Sequence, residues 1–288
     1  MRDTILFGDC RETLKEFDEK ARMCVTSPPY YGLRNYGDEE YQIGLEQTPE
    51  EFIKQLVNVF KEVKNVLTDD GTLWVNVGDS YYNYRPGRGQ GLAKQTVSNT
   101  KQDLPDVCPR RGNRLEGLKE KDLIGIPWMF AFAMRADGWY LRQDIIWNKP
   151  NPMPESVRDR CTKAHEYIFL FSKNQNYYFD VDAIKEPTRR KRSVWNVQKK
   201  PYRGAHFAVY PPDLIEPCIK AGSEKGDIVL DPFMGSGTTA MVAKSLGRDY
   251  IGCELHEDYG NLIQKRVKEY HPVEEVSQEP TVNILDLI

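Results

Sequence analysis

The sequence lacks the apolar runs of a membrane protein, since no stretch of its 288 residues approaches the ~18 consecutive apolar residues of a membrane span. Its start, Met1-Arg2-Asp3-Thr4, has no apolar secretory core, which predicts a cytoplasmic protein. Its six cysteines are scattered without CxxC or Cys/His spacing, so we expect reduced thiols and no metal site. With 40% hydrophobic and 29% charged residues, the chain is expected to bury one globular core, alone or with a small lobe.

The chain as a whole also lacks an excess of basic charge, and its formal net charge of −3 argues weakly against a nucleic-acid partner. The local distribution differs, because segments 85–121 and 185–203 are rich in basic residues. In the second segment Trp195 and Tyr202 are interleaved with basic residues, and Glu186 is the one acidic residue. Local potential governs the capture of a phosphate backbone, so this segment is predicted to bind nucleic acid. An ordinary solvated charged face is the alternative.

Strand and helix patterns alternate along the chain. Short apolar strands are predicted at 4–7, 23–26, 71–77, 140–147, 167–171, 227–230 and 250–253. Helices are predicted after the Thr48-Pro49-Glu50-Glu51 capping sequence, at 126–134, 212–221 and 237–246, and from about residue 256. Residues of about 80–118 have little periodicity and are predicted as a long mobile loop. This alternation predicts an α/β fold, a doubly wound and mostly parallel sheet with helices on both faces.

A glycine-rich turn near the C-terminal end is typical of a nucleotide-like ligand site. The segment Asp231-Pro232-Phe233-Met234-Gly235-Ser236-Gly237-Thr238-Thr239 follows a buried strand and precedes a helix. Glu254 ends the next strand, close to the ~20-residue spacing expected of an acid that binds ribose hydroxyls. No lysine follows the second glycine, which disfavours a P-loop. A tight turn with a structural glutamate is the alternative.

A second motif, Ser27-Pro28-Pro29-Tyr30, ends a strand near the N-terminus, where ligands of such sheets bind. Two prolines remove two amide donors and leave carbonyls free to accept from an exocyclic amine. The Ser27 hydroxyl offers a further acceptor, and the Tyr30 ring offers a face on which an extruded base can stack. Alone, Pro-Pro is usually only a turn; together with the glycine turn it predicts an enzyme that joins a nucleoside cofactor to a base.

On these two motifs the chain resembles the S-adenosylmethionine-dependent DNA amino-methyltransferases, whose signatures are [DNS]PP[YFW] and DPFxGSGTT. The order found here, with the tetrapeptide first, is similar to the beta permutation class. Further segments match recurrent family blocks and extend the resemblance over most of the chain: 7–10, 146–150, 163–167 and 206–211.

The resemblance implies a circularly permuted Rossmann-like methyltransferase domain. Its catalytic half would be residues 1–184, its small target-recognition insertion 185–205, and its cofactor half 206–288. S-adenosylmethionine would be held by Asp9, Asp231, Phe233, Gly235, Ser236, Gly237, Thr238, Thr239 and Glu254, and the base by Ser27, Pro28, Pro29 and Tyr30. From the charge pattern of the basic segment, the residues expected to contact double-stranded DNA, together with the loop of residues 81–114, are Arg189, Arg190, Lys191, Arg192, Trp195, Lys199, Lys200 and Arg203. A cognate restriction endonuclease is an expected partner, in a prokaryotic or phage-encoded system, with the enzyme a monomer or homodimer.

Serine at the first tetrapeptide position resembles the cytosine-N4 subgroup, whereas aspartate or asparagine is typical of adenine-N6 enzymes. The expected reaction is therefore methyl transfer to the N4 amine of a flipped cytosine. No Pro-Cys motif stands at this position, which disfavours carbon-5 methylation. Two alternatives remain: adenine-N6 methylation, and a non-catalytic or partner-dependent DNA-binding subunit.

Overall fold

The computed structural model describes residues 1–32, 41–82, 115–199 and 210–270. Within them eight strands form one sheet, in the order β1-β8-β7-β2-β3-β5-β4-β6. The strands are β1 (Thr4–Phe7), β2 (Ala21–Thr26), β3 (Leu67–Val77), β4 (Tyr140–Asn148), β5 (His165–Ser172), β6 (Val194–Asn196), β7 (Ile228–Asp231) and β8 (Asp249–Glu254). The helices are α1 (Cys10–Thr13), α2 (Pro49–Val66), α3 (Ile126–Ala136), α4 (Pro212–Gly222), α5 (Thr238–Ser245) and α6 (Tyr259–Glu269).

The predicted parallel sheet is confirmed, with one exception in direction. β5 pairs antiparallel with both β3 and β4, and every other pairing among the described strands is parallel. Strands from the two ends of the sequence are neighbours, since β1 pairs with β8 and β2 pairs with β7. The carboxyl ends of β1, β8, β7, β2, β3 and β4 consequently share one edge with the start of the reversed strand β5. This carboxyl edge carries both sequence motifs.

Helix α2 shows how the local sequence sets both the start of a helix and the side that packs on the sheet. The Thr48 hydroxyl accepts from the Glu51 amide, and the Glu51 carboxylate accepts from the Thr48 amide, so the predicted capping box is confirmed. Its apolar stripe is buried against the sheet, including Phe52, Leu56 and Phe60. Val59, Val63 and Leu67, which continue the stripe at helical spacing, are buried as well.

The sheet has an apolar layer on each face, as a doubly wound fold requires. Along β3, Leu73 and Val75 belong to the cluster that contains α2 and α3 side chains, whereas Trp74 belongs to the cluster that contains α4 and α5 side chains. This alternation follows from the period of two in a strand. Among the described residues, no helix is long and apolar enough to span a bilayer.

Several boundaries differ from the sequence-based expectation. β3 begins at Leu67 rather than at residue 71, because α2 runs directly into it and the Leu67 amide still donates to the Val63 carbonyl. β6 was not predicted at all. It is three residues long and lies within the basic segment, where it pairs parallel with β4. Most of the predicted mobile loop, residues 83–114, lies outside the described residues.

Candidate active site

The glycine turn lies between β7 and α5 at the carboxyl edge. Gly235 and Gly237 have φ angles of +52° and +82°, in the left-handed region that favours glycine. A Cβ on Gly237 would lie 2.7 Å from Ile263 Cγ2 of α6, so a side chain does not fit there. The Met234 amide donates to the Cys253 carbonyl at 2.9 Å, which ties the turn to β8. The turn is therefore fixed by steric limits and by a backbone bond.

Asp231 is a buried acceptor in the centre of this edge, 1% exposed. Its Oδ1 accepts from Thr26 Oγ1 at 2.6 Å and from the Phe233 amide at 3.0 Å. Its Oδ2 accepts from Thr239 Oγ1 and from the Tyr210 hydroxyl, the latter at 3.2 Å. Burial raises the pKa of this carboxyl group despite these donors. These contacts tie Asp231 to the strand before the tetrapeptide and to both ends of the glycine turn, and its contact with the cofactor stays a prediction.

Glu254 ends β8 beside the turn and is 8% exposed. Its Oε2 accepts from the Gly235 amide at 2.8 Å and its Oε1 from the His256 amide at 3.1 Å. Burial raises the pKa of this carboxyl group. A carboxylate has about four lone-pair directions, so two remain for ligand hydroxyls. Glu254 thus combines a fixed orientation with spare acceptor capacity.

Asp9 lies close by, because β1 and β8 are neighbours and the Gly8 amide donates to the Glu254 carbonyl at 2.9 Å. Asp9 caps α1 by accepting from the Arg11 amide at 2.9 Å. The Arg11 guanidinium also donates to Asp9, from Nη2 at 2.6 Å. Asp9 therefore fixes the start of α1 beside Glu254, at the β1 side of the candidate site.

Phe233, Ser236 and Thr238 complete the glycine turn and the start of α5. Phe233 packs edge-on against Phe60, with ring centroids 6.5 Å apart. The Ser236 hydroxyl and carbonyl both accept from Arg266, the carbonyl at 2.7 Å. The buried Thr238 hydroxyl has no hydrogen-bond partner within the described part of the chain. An unpartnered hydroxyl in a glycine cradle at the start of α5 fits a ligand that brings polar groups.

The tetrapeptide directly follows β2, so the Thr26–Asp231 hydrogen bond joins it to the glycine turn. Ser27, Pro29 and Tyr30 are half-buried, and Pro28 is buried. The Tyr30 hydroxyl donates to Glu166 Oε2 at 2.6 Å. The Tyr30 ring also packs against Gly78, where a Cβ would lie 2.7 Å from Tyr30 Cε2 and 3.1 Å from Cζ. The two sequence motifs are therefore brought together at one edge.

Three polar residues of this site were not among the predicted site residues: Asn76, Lys149 and Glu166. Asn76 Nδ2 donates to Glu166 Oε2 at 3.2 Å, and the Lys149 ammonium donates to Glu166 Oε1. The Lys149 and Glu166 side chains are only 7% and 14% exposed. Both lie in sequence blocks that match the family, and each stands beside an apolar strand segment, which is an unusual place for a charge.

The basic segment runs beside β4 at the same edge. Arg190, Arg192 and Lys199 lie on its surface, and Arg189 is exposed but paired with Glu186. Trp195, expected to face DNA, is instead 5% exposed, and its indole Nε1 donates to the Arg192 carbonyl at 2.7 Å. Its burial in the β4–β6 layer argues against a direct base contact. The expected DNA ligands Lys200 and Arg203 lie outside the described residues.

Within residues 1–32, 41–82, 115–199 and 210–270, no group of three or more His, Cys, Asp or Glu side chains is arranged to hold a metal ion. The thiols nearest the turn are buried. Burial raises the pKa of Cys253 to about 12, and that of Cys24 well above the usual thiol value.

A Rossmann-like sheet with a glycine turn, a strand-end glutamate and an adjoining Ser-Pro-Pro-Tyr segment defines an α/β methyltransferase. The chain belongs to the N6_N4_Mtase family, described as DNA methylase, whose family model matches residues 21–265. This membership confirms the predicted DNA amino-methyltransferase family.

Relatives and solved structures agree with the family. The chain is 49% identical over 275 residues to the Type II methyltransferase M.XycI of Xanthomonas campestris pv. cyanopsidis, covering 93% of this chain and 89% of the relative. It is 48% identical to the Type II methyltransferase M.SmaI of Serratia marcescens, covering 91% and 90%. The solved PvuII DNA methyltransferase (cytosine-N4-specific) superposes with a TM-score of 0.67 at 21% identity, over 92% of this chain and 86% of that one. A putative DNA modification methylase from Thermus thermophilus, complexed with S-adenosyl-L-methionine, gives 0.62 at 24% identity, over 91% and 92%. The last two similarities confirm the predicted fold.

Proposed function

We propose that this chain transfers a methyl group from S-adenosylmethionine to the exocyclic N4 amine of a cytosine flipped out of double-stranded DNA. The observation that carries the proposal is the buried Thr26–Asp231 hydrogen bond, which couples the strand leading to Ser27-Pro28-Pro29-Tyr30 to the glycine turn. A methyl donor on the turn and a base on the tetrapeptide would then be neighbours, as direct transfer requires.

The residues present fit S-adenosylmethionine. Glu254 has spare acceptor capacity for ribose hydroxyls, and the start of α5 offers backbone amides and the unpartnered Thr238 hydroxyl. Asp9 lies beside Glu254 at the end of β1, and Asp231 accepts from the Phe233 amide and so fixes the start of the turn. When bound, the cofactor supplies a strongly electrophilic sulfonium methyl group. The solved Thermus structure in complex with this molecule supports the assignment.

The tetrapeptide supplies alignment rather than covalent catalysis. We expect Ser27 Oγ and the Pro28 carbonyl to accept the two N–H groups of the amine, which draws its lone pair out of conjugation and toward the methyl carbon. Formation of the N–CH3 bond would break the S–CH3 bond and leave neutral S-adenosylhomocysteine, and one amine proton would pass to solvent. The Tyr30 ring stacks on the base. Carbon-5 methylation needs a thiolate nucleophile, and the buried thiols with raised pKa near the turn do not provide one.

Cytosine is favoured over adenine by Ser27, together with the fold similarity to a cytosine-N4-specific enzyme. Adenine N6 is the second candidate, because the family name covers both amines. Arg190, Arg192 and Lys199 on the surface of the same edge suit phosphate or base-edge contacts. The Type II names of the relatives support a cognate restriction endonuclease as partner and a bacterial cytoplasmic setting.

The proposal is tested by incubating the purified chain with plasmid DNA and S-adenosylmethionine, then digesting the DNA to nucleosides for chromatography and mass spectrometry. We expect N4-methyldeoxycytidine, whose retention time separates it from the isobaric carbon-5 product. Tyr30→Ala should abolish product while cofactor affinity is retained, and Glu254→Ala should abolish cofactor binding. N6-methyldeoxyadenosine would replace the proposal by its second candidate. Cofactor binding without any product would favour a partner-dependent subunit.

A further inference from the structure

We propose that Glu166 and Lys149 are positioning residues for methyl transfer: their buried ion pair holds the Tyr30 ring in the orientation that stacks the target base. The inference rests on the proposed function, because it assigns the means by which the tetrapeptide is ordered.

The ion pair reaches Tyr30 across four neighbouring strands. Lys149 directly follows β4, Glu166 lies near the start of β5, Asn76 lies in β3, and Tyr30 follows β2. Because the sheet order is β2-β3-β5-β4, these side chains form a continuous polar row along the carboxyl edge. The Tyr30 hydroxyl, donating to Glu166 Oε2 at 2.6 Å, is the end of that row.

The acceptor for Tyr30 is itself fixed. Glu166 Oε2 also accepts from Asn76 Nδ2 at 3.2 Å, and Asn76 is oriented by donating to the Tyr167 carbonyl at 3.1 Å. Glu166 Oε1 is held by the Lys149 ammonium, which lies 4.1 Å from the centre of the Trp147 ring. The carboxylate therefore has little freedom to rotate, and the phenol that bonds to it has one preferred direction.

Contact with Gly78 restricts the ring next to its hydroxyl end. Because a Cβ at Gly78 would lie 2.7 Å from Tyr30 Cε2, the ring uses the space that this glycine leaves. Glu166 thus anchors the hydroxyl, and Gly78 confines the neighbouring ring atoms Cε2 and Cζ. Ordering the ring before the base arrives removes an entropy cost from binding and transfer.

A charged anchor is stronger than a neutral one. A hydrogen bond from a hydroxyl to a carboxylate is about twice as strong as one between neutral groups. Burial opposes ionisation of Glu166, but the Lys149 charge and the hydrogen bonds from Lys149 and Tyr30 outweigh it and keep the pKa of Glu166 below its usual value. A buried ion pair seldom adds net stability over apolar side chains of similar size, so stability alone does not account for this one.

The test is a double-mutant cycle between the ion pair and the hydroxyl. Lys149→Met/Glu166→Met removes the anchor without leaving an unpaired buried charge, and Tyr30→Phe removes only the hydroxyl. We expect each change to lower kcat by about ten- to hundredfold, with cofactor affinity unchanged. In the Tyr30→Phe background, the methionine pair should cause no further loss. Lys220→Met/Glu216→Met, which removes an ion pair on the surface of α4, is the control and should leave kcat unchanged.

Losses of kcat that multiply in the triple variant would overturn the inference, as would an unchanged kcat with a lower melting temperature. The cycle measures kcat for methyl transfer to either base, so the test of the inference remains valid even when the product is N6-methyladenine and the proposed base is wrong. If the parent enzyme transfers no methyl group, the proposed function fails, and crystal structures of the parent and of Lys149→Met/Glu166→Met decide the inference separately. A Tyr30 ring that keeps its position in that variant contradicts it; a displaced ring supports it.

Discussion

Replacing Gly237 by alanine tests the link between the glycine turn and cofactor binding. Gly237 has φ of +82°, and the left-handed conformation costs an alanine there about 1–2 kcal/mol. Its Cβ would also lie 2.7 Å and 3.1 Å from Ile263 Cγ2 and Cγ1, an overlap that costs about 1–3 kcal/mol more in a packed interior. We therefore expect Gly237→Ala to lower the free energy of unfolding by about 2–5 kcal/mol, the sum of the two costs. Displacement of the turn from α6 should weaken cofactor binding at least about tenfold.

Gly226 provides a matched control for this prediction. Its φ is +85°, but a Cβ there would have no neighbour within 4 Å. Gly226→Ala should incur only the conformational cost of about 1–2 kcal/mol and leave cofactor affinity unchanged. Urea unfolding and calorimetric titration measure the two quantities for both variants. Equal destabilisation and equal affinity in the two variants would refute the proposed steric role of the Gly237–Ile263 contact.

Three further predictions concern the same edge. Thr26→Val should lower the free energy of unfolding by about 1.5–3 kcal/mol and weaken cofactor binding, because a hydrogen bond to the buried Asp231 carboxylate is lost; unchanged values of both in urea and calorimetric titrations would show that this bond does not couple the motifs. Burial raises the pKa of Glu254 above its ordinary value, so it protonates at a higher pH than an exposed glutamate, and calorimetric cofactor affinity should fall as the pH drops through that raised pKa. Glu254→Gln should bind weakly at every pH, and a parental pH dependence in this variant would contradict the assignment. Arg190→Gln/Arg192→Gln should reduce the slope of log K for DNA against log salt by about 2, with cofactor affinity unchanged; an unaltered slope would exclude both residues as phosphate contacts.

The elements with strong local signals were predictable from the sequence. The capping box at Thr48 and Glu51 identifies the start of α2, because two reciprocal hydrogen bonds need only residues three positions apart. The glycine turn is equally local, since left-handed backbone next to a buried strand restricts the residue type. The glycine turn and the Ser27-Pro28-Pro29-Tyr30 segment each follow a predicted strand, so both could be placed at the carboxyl edge from the sequence alone.

The parts that depend on distant contacts could not be predicted. The three-residue strand β6 has too few positions to show a period of two. Because basic residues surround it, Trp195 was expected on the DNA-binding surface, whereas it is buried. Glu166 and Lys149 meet only because β5 runs antiparallel to its neighbours, which brings the start of one strand beside the end of another. The charges of Glu166 and Lys149 next to apolar strand segments were the available sequence signal. That the two residues are partners depends on the pairing of β4 with β5, which the sequence does not show.

The most direct test of the account is the identity of the methylated nucleoside made by the purified chain from plasmid DNA and S-adenosylmethionine. The arrangement of Ser27-Pro28-Pro29-Tyr30 beside the glycine turn predicts N4-methyldeoxycytidine, and predicts its loss in Tyr30→Ala with cofactor binding retained. N6-methyldeoxyadenosine as the product, or full activity of Tyr30→Ala, would contradict the account.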